Sequence, residues 1–199
     1  DQPDAMSVHD INNSNELISL ARNMSENGKL PNGREIDSPP HFHIGTADVP
    51  QRIKQDKPPA LLKKIEAGAN FVQTQLCYDI EVIKAYIADL GAIGILDKVH
   101  ILIGLGPIAS AKSAIWMREN LFGVAIPDAV IQRLQDSDDA KQEGRRISIE
   151  LIEAMQKIDG ISGVHLMAPG QSIKAIANLL SELGLKHWAR SLIKEHVKF

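Results

Sequence analysis

The sequence predicts an α/β fold of four strand–helix units, and three observations carry that reading. Short β-prone runs alternate with segments of helical apolar spacing. The turns between them are marked by Gly, Pro or a capping Asp or Ser. No strand is followed directly by a hairpin partner. Strands separated by helices run parallel, which means a barrel or a doubly wound sheet. Four units do not close an eight-stranded barrel, and half a barrel leaves strand edges unpaired.

Taken in order, NNSNELISLARNM offers Asn13 or Ser14 as an N-cap, with Leu17, Leu20, Ala21 and Met24 at helical spacing and Asn27-Gly28 as the stop. LPNGREI carries an Asn-Gly turn suited to a small hairpin. After Pro39-Pro40, HFHIGTA reads as the first strand. Pro58-Pro59 open a helix carrying Leu61, Leu62 and Ile65, closed by Gly68. NFVQTQL is the second strand, and Asp79 caps a helix with Val82, Ile83, Tyr86, Ile87 and Leu90, closed by Gly91. VHILIG, residues 99–104, leads through Leu105-Gly106-Pro107 to a helix from about Ser110. A second helix starts near Pro127, and a long one runs from about Asp138 to Lys157 across Gly144. GVHLMA, residues 163–168, is the fourth strand, followed by the helix of SIKAIANLLSEL and a stop at Gly184. LKHWARSLIKEHVKF reads as an extra amphipathic helix. The expected organisation is a lead-in over 1–40, four β/α units over 41–184 and a C-terminal helix over 185–199.

Composition narrows the function. With 22 Lys+Arg against 25 Asp+Glu and no basic block, nucleic acid is not an expected partner. No apolar run approaches the roughly 18 residues of a membrane span. The lone Cys77 cannot form an internal disulfide, which suits a reducing cytoplasm. The opening DQPDAMSVHD lacks both an initiating Met and a signal-peptide pattern, and reads as a piece cut from a longer protein.

Ligands of parallel sheets sit at the C-terminal ends of strands, which here means Thr46, Gln75, Tyr78 and the turns after the third and fourth strands. Strand alternation puts Phe71, Gln73 and Gln75 on one face and Val72, Thr74 and Leu76 on the other. The Gln75 amide both donates and accepts, so it can read a flat heterocycle without titrating; bonding to neighbouring backbone is the alternative. Gly104-x-Gly106 lacks a third glycine and has Pro107 in the turn, which favours a plain strand-to-helix turn over a phosphate cradle. Lys63 and Lys64 either complement their helix dipole or contact a phosphate. His41-x-His43, His100 and His165 fall on strands, the pattern of a metal-dependent amidohydrolase. Their early or mid-strand positions, and the absence of an Asp closing the last strand, favour hydrogen-bonded histidines instead. Met155, Met167 and Trp116 read as core or helix-packing residues.

Four motifs carry a more specific reading: KKIEAGANFVQTQLCYD, ILIGLGPIASAKSAIWM, GVAIPDAVIQRLQDSDDAKQEGRRISIELI and ISGVHLMAPG. In order and spacing they resemble methylenetetrahydrofolate reductase, with the bacterial and archaeal branch that includes acetogen-type enzymes closest. The resemblance runs from Asp1-Gln2-Pro3 to about Gly184. It implies the C-terminal half, strands five to eight, of a (β/α)8 TIM barrel. It further implies FAD (or FMN) at the strand ends, NAD(P)H as reductant and a folate as substrate. By the same likeness Gln75 matches a glutamine that hydrogen-bonds the pterin and nicotinamide, and Lys64, more weakly Lys63, a basic residue near the flavin phosphates. Ser113 and Met117 match positions along the folate or nicotinamide, Thr46 joins the cofactor set, and Ala168-Pro169-Gly170 lines the mouth.

The departures are equally specific. The family's flavin-facing Asp and its general-acid Glu lie before the matched region, and Val49 stands where relatives have Asn or His. No catalytic acid is therefore expected in this chain, and a complementary half or a homo-oligomer is expected to cover the strand edges. A non-catalytic subunit that binds folate or a partner chain is the alternative reading.

Overall fold

A computed structural model describes residues 11–53, 59–168 and 170–184. The elements follow from local sequence. Helix α1 (Ser14–Asn27) begins where the Asn13 side chain accepts the backbone N–H groups of Asn15 and Glu16, and ends at Gly28 in the left-handed region. A single antiparallel bridge, Lys29 to Glu35, is all that the Asn-Gly turn closes. Then come β1 (Gly45–Asp48), α2 (Ala60–Ala67), β2 (Phe71–Leu76) and α3 (Ile80–Ala92, capped by Asp79). The second half runs β3 (His100–Leu105), α4 (Ala111–Asn120), α5 (Asp128–Asp136), α6 (Ala140–Met155), β4 (Gly163–Leu166) and α7 (Ile173–Glu182). The expected helix over 185–199 lies outside the described residues.

All four strands are parallel and ordered β1-β2-β3-β4. That order decides between the two architectures. A doubly wound sheet reverses its strand order at a switch point and carries helices on both faces. Here the order never reverses. The buried Val72, Ile101 and Ile103 share one core with Leu61, Ile83, Leu90, Ala114 and Ile147 from the helices. On the opposite face Ala47, Gln73 and His100 are exposed. A sheet wound in one direction with helices on one side is the arrangement of part of a (β/α)8 barrel.

The first strand differs from expectation. It starts at Gly45 rather than His41, because residues 41–44 are held by contacts other than the sheet ladder. Asn70 Oδ1 accepts the Ile44 N–H at 2.8 Å, the Ile44 carbonyl accepts the Asn70 N–H at 2.7 Å, and the His43 ring stacks on Phe71. Trp116 is also not a core residue: it is exposed, while its neighbour Met117 is buried.

Helices α5 and α6 are clamped by charge. Arg133 donates to Glu143 at 2.9 Å and to Glu150 at 2.6 Å, and Arg146 adds a 2.6 Å bond to Glu143. The hydrogen bond from Arg133 holds the Glu150 carboxyl below its ordinary range, against the opposing effect of burial. A depressed carboxylate stabilises the fold above the ordinary carboxylate range, and that contribution is lost as pH falls through its folded value. Both side chains are 40–48% exposed, so screening keeps the effect modest. Arg133→Met is expected to narrow the gap between urea unfolding at about pH 7 and about pH 3. An unchanged gap removes the clamp as an acid-sensitive element.

Candidate functional site

The strand ends open onto a cleft of about 560 Å³. Its walls include Lys64, Gln73, Gln75, Phe122, His165 and Met167, with Asp48 and Val49 at the end of β1. Gly104 in β3 and Gly106 just after it bring these groups close together. A Cβ on Gly104 would strike the Thr74 and Gln75 backbone, and one on Gly106 would strike the Met167 carbonyl. Gly104-x-Gly106 is thus a close-packing device rather than a phosphate cradle. Across the same junction the Met167 N–H donates to the Leu105 carbonyl at 2.8 Å, and Gln171 Nε2 donates to the Pro107 carbonyl.

Strand β2 carries an irregularity that alternation does not reveal. Gln73 pairs with Leu102 and Leu76 with Gly104, so Thr74 and Gln75 together stand opposite Ile103. An extra residue of this kind is a β-bulge, a device found beside active sites where it re-aims a side chain. The backbone bond it removes is replaced by a side chain: buried Thr74 Oγ1 accepts the Gly104 N–H at 2.8 Å and donates to the Gln75 carbonyl at 3.0 Å. Gln75 is held at both ends of its amide. Nε2 donates to the Phe122 carbonyl and Oε1 accepts the Leu76 N–H, each at 2.9 Å. Since an amide has two N–H groups and two lone pairs, one of each stays uncommitted.

The charged groups are also organised. Lys64 Nζ donates to the Ala47 carbonyl at 2.6 Å, which brings its ammonium to the cleft. Tyr86 donates to Asp48 at 2.7 Å. Burial, then the Asp48 charge, pushes the Tyr86 phenol far above its usual value, so it stays protonated and donating. Tyr78 is buried and bonded to the Gly106 carbonyl at 2.8 Å, a structural role. Burial pushes the Cys77 thiol up to about 11, which makes it a poor nucleophile at neutral pH.

Of the residues singled out from sequence, Gln75 and Lys64 meet in the cleft. Gln73, His165 and Met167, also singled out, line it too, whereas Thr46, Lys63, Ser113 and Met117 do not. Thr46 pairs with Val72, which puts it on the helix side of the sheet. Lys63 is exposed and does not line the cleft. Ser113 is consumed by a capping box, accepting the Ser110 N–H at 3.1 Å and donating to the Ser110 carbonyl at 2.8 Å. Met117 is packed in the core at 4% exposure. Pro169 lies outside the described residues, while Ala168 and Gly170 flank it.

His43 and His100 line one small pocket and His165 lines the cleft, and among the described residues no three His, Cys, Asp or Glu groups converge. The hydrogen-bonded reading fits His100, whose Nδ1 meets Ser162 Oγ at 3.4 Å, but not His165, whose Nδ1 is buried without a partner among the described residues, on the wall of the cleft. Sequence reasoning missed Phe122, whose one signal was a large aromatic before Gly123 in a loop. It also set aside Met167, which lines the cleft.

Comparison with known proteins bears on what this cleft belongs to. The family model described as methylenetetrahydrofolate reductase matches residues 2–184. Methylenetetrahydrofolate reductase 1 of Schizosaccharomyces pombe is 30% identical over 152 residues, covering 72% of this chain and 24% of the relative. Methylenetetrahydrofolate reductase (NADH) 1 of Arabidopsis thaliana is 31% identical over 129 residues, covering 63% of this chain and 21% of the relative. The chain thus spans about a quarter of the length of the curated relatives it matches. A solved structure of an uncharacterized protein from Clostridium thermocellum, which binds two copies of 5-methyl-5,6,7,8-tetrahydrofolic acid, matches at TM-score 0.49 and 20% identity. That alignment covers 62% of this chain and 46% of the other. The family match spans every β/α unit described above, and the chain belongs to the methylenetetrahydrofolate reductase family.

Proposed function

We propose that this chain forms strands five to eight of a flavin-binding barrel that reduces 5,10-methylenetetrahydrofolate to 5-methyltetrahydrofolate. The observation that carries the reading is the family match over residues 2–184, laid on a parallel sheet where Gln75 at the end of β2 and Lys64 reaching over from α2 line one cleft. The residues fit a flavin and a pterin on chemical grounds. Lys64 offers a cation to a phosphate, Gln75 keeps amide capacity for a ring edge, and His165 Nδ1 is an unused polar atom on the same wall.

A bound flavin would supply the hydride-transfer chemistry between NAD(P)H and the methylene carbon of the folate. The protein's task is to hold flat rings in register and exclude water. Gln75 orients a ring through its amide plane, and being uncharged it does so at any physiological pH. Lys64 neutralises phosphate charge at the rim. The acid and the flavin-facing Asp come from the half that completes the barrel, which pairs with the outer edges of β1 and β4. The cytoplasm is the proposed compartment, where the buried Cys77 stays a thiol. Among the described residues no helix is long and apolar enough to cross a membrane.

Isolated from its own cells together with whatever closes the barrel, the protein should carry flavin absorbance. NAD(P)H should bleach it and methylenetetrahydrofolate should restore it, yielding methyltetrahydrofolate. A colourless preparation that binds no folate overturns the reading. A second reading, a non-catalytic folate-binding subunit, is favoured by Val49, an apolar side chain at the cleft that packs on Gly123. Folate binding with no flavin bleaching would select it.

A further inference from the structure

Phe122 is 87% exposed, the most exposed of the large apolar side chains among the described residues. Leaving an aromatic ring in water forgoes a substantial hydrophobic gain. Yet the backbone beneath it is firmly held. Leu121 N–H donates to the Met117 carbonyl at 2.9 Å, and the Phe122 carbonyl accepts Gln75 Nε2 at 2.9 Å. Ala125 forms a parallel bridge with Cys77, and its carbonyl accepts the Tyr78 N–H at 2.7 Å. Gly123, at φ +76°, lies against Val49. A loop pinned to β2 and seated on the β1 loop therefore presents one uncovered side chain, on the wall of the cleft.

We propose that Phe122 is the aromatic wall of the cleft, on which a flat heterocycle stacks, and that the Gln75 amide is its mount. The assignment rests on the functional reading above and deepens it. Two contacts at right angles define such a ligand. An amide bonds to a ring edge in the ring plane, while an aromatic side chain covers the ring face. Because Gln75 holds the Phe122 carbonyl with one N–H and keeps the other, ring recognition and wall position are linked through one side chain.

Calorimetric titration of the purified protein, with its barrel-completing half, against 5-methyltetrahydrofolate tests this. Phe122→Ala should weaken binding about tenfold, and Phe122→Trp should restore most of it. Gln75→Ala combined with Phe122→Ala should weaken binding by less than the product of the single effects, since removing the mount already displaces the wall. Wild-type affinity in Phe122→Ala, or equal weakness in Phe122→Trp, overturns the stacking role and leaves the folate reading intact. Wild-type protein that binds no folate overturns the functional reading, and the Phe122 assignment with it. A clear drop in the Phe122→Ala melting temperature also overturns it, by showing the ring packed against the completing half.

Discussion

Gly106→Ala is expected to cost roughly 2–4 kcal/mol of folding stability. The added methyl group would enter the Met167 carbonyl, and that carbonyl is backbone, so no side chain can rotate away. Relief requires β3 and β4 to separate where Leu105 and Leu166 pair and where the Met167 N–H reaches the Leu105 carbonyl. The separation would also move Met167 and His165, so ligand affinity should fall along with stability. Urea unfolding measures the first effect, and ligand titration at a temperature where the variant is folded measures the second. Gly33→Ala is the control, because nothing lies within 4 Å of the added methyl there; only its positive φ, +84°, gives a cost. If Gly106→Ala unfolds at the wild-type urea concentration, the two strands are looser than the structure describes.

Thr74→Val is the second large effect, expected at about 1–3 kcal/mol. The replacement keeps the shape but removes the oxygen that accepts the Gly104 N–H inside the sheet. A buried donor is then left without a partner, which costs more than the bond itself contributes. The bulge has two ways to respond. It can bear the cost, or it can collapse into regular pairing, which moves Gln75 by one position and turns its side chain away. Thr74→Ser retains the hydroxyl and should recover most of the stability. Measuring stability and ligand affinity for Val and Ser side by side distinguishes the responses. Loss of affinity with Val and its recovery with Ser would show that the bulge aims Gln75. Unchanged affinity with Val would deny the bulge that role.

Much of the fold was legible because it is encoded locally. Asn13, Asp79, Ser110 and Asp139 cap their helices through side chains that reach residues two or three along. Helix caps depend on neighbours, so a sequence read in short windows finds them. The two faces of β2 were legible for the same reason: Val72, Thr74 and Leu76 are buried while Gln73 is exposed. His41-Phe42-His43 misled because strand propensity says nothing about whether a neighbouring ladder exists. There the Asn70 side chain and the Phe71 ring occupy the space instead.

The site was less legible than the fold. Gln75 and Lys64, singled out from sequence, line one cleft, whereas Met117 and Ser113 were expected at the ligand by likeness of position along a helix and do not line it. The structure turns Met117 into the core and uses Ser113 as a cap. Helical spacing identifies which residues share a face, but only packing against β3, α5 and their loops decides which face is buried. Phe122 shows the converse. Its loop has no periodicity to read, and its position depends on bonds to Gln75, Leu76 and Tyr78 more than forty residues earlier.

By itself, then, the sequence determined four parallel β/α units, their caps and the apolar faces that bind helices to sheet, since these are set by propensity and spacing over a few residues. Periodicity left barrel and doubly wound sheet open, the motif likeness implied the barrel half, and the one-way strand order agrees with it. The tertiary structure alone decided the bulge at Thr74-Gln75 and the seat of Phe122 over the cleft. Those features depend on strand register and on close backbone approach between segments distant in the chain, where one methyl group on Gly104 or Gly106 is enough to forbid the arrangement.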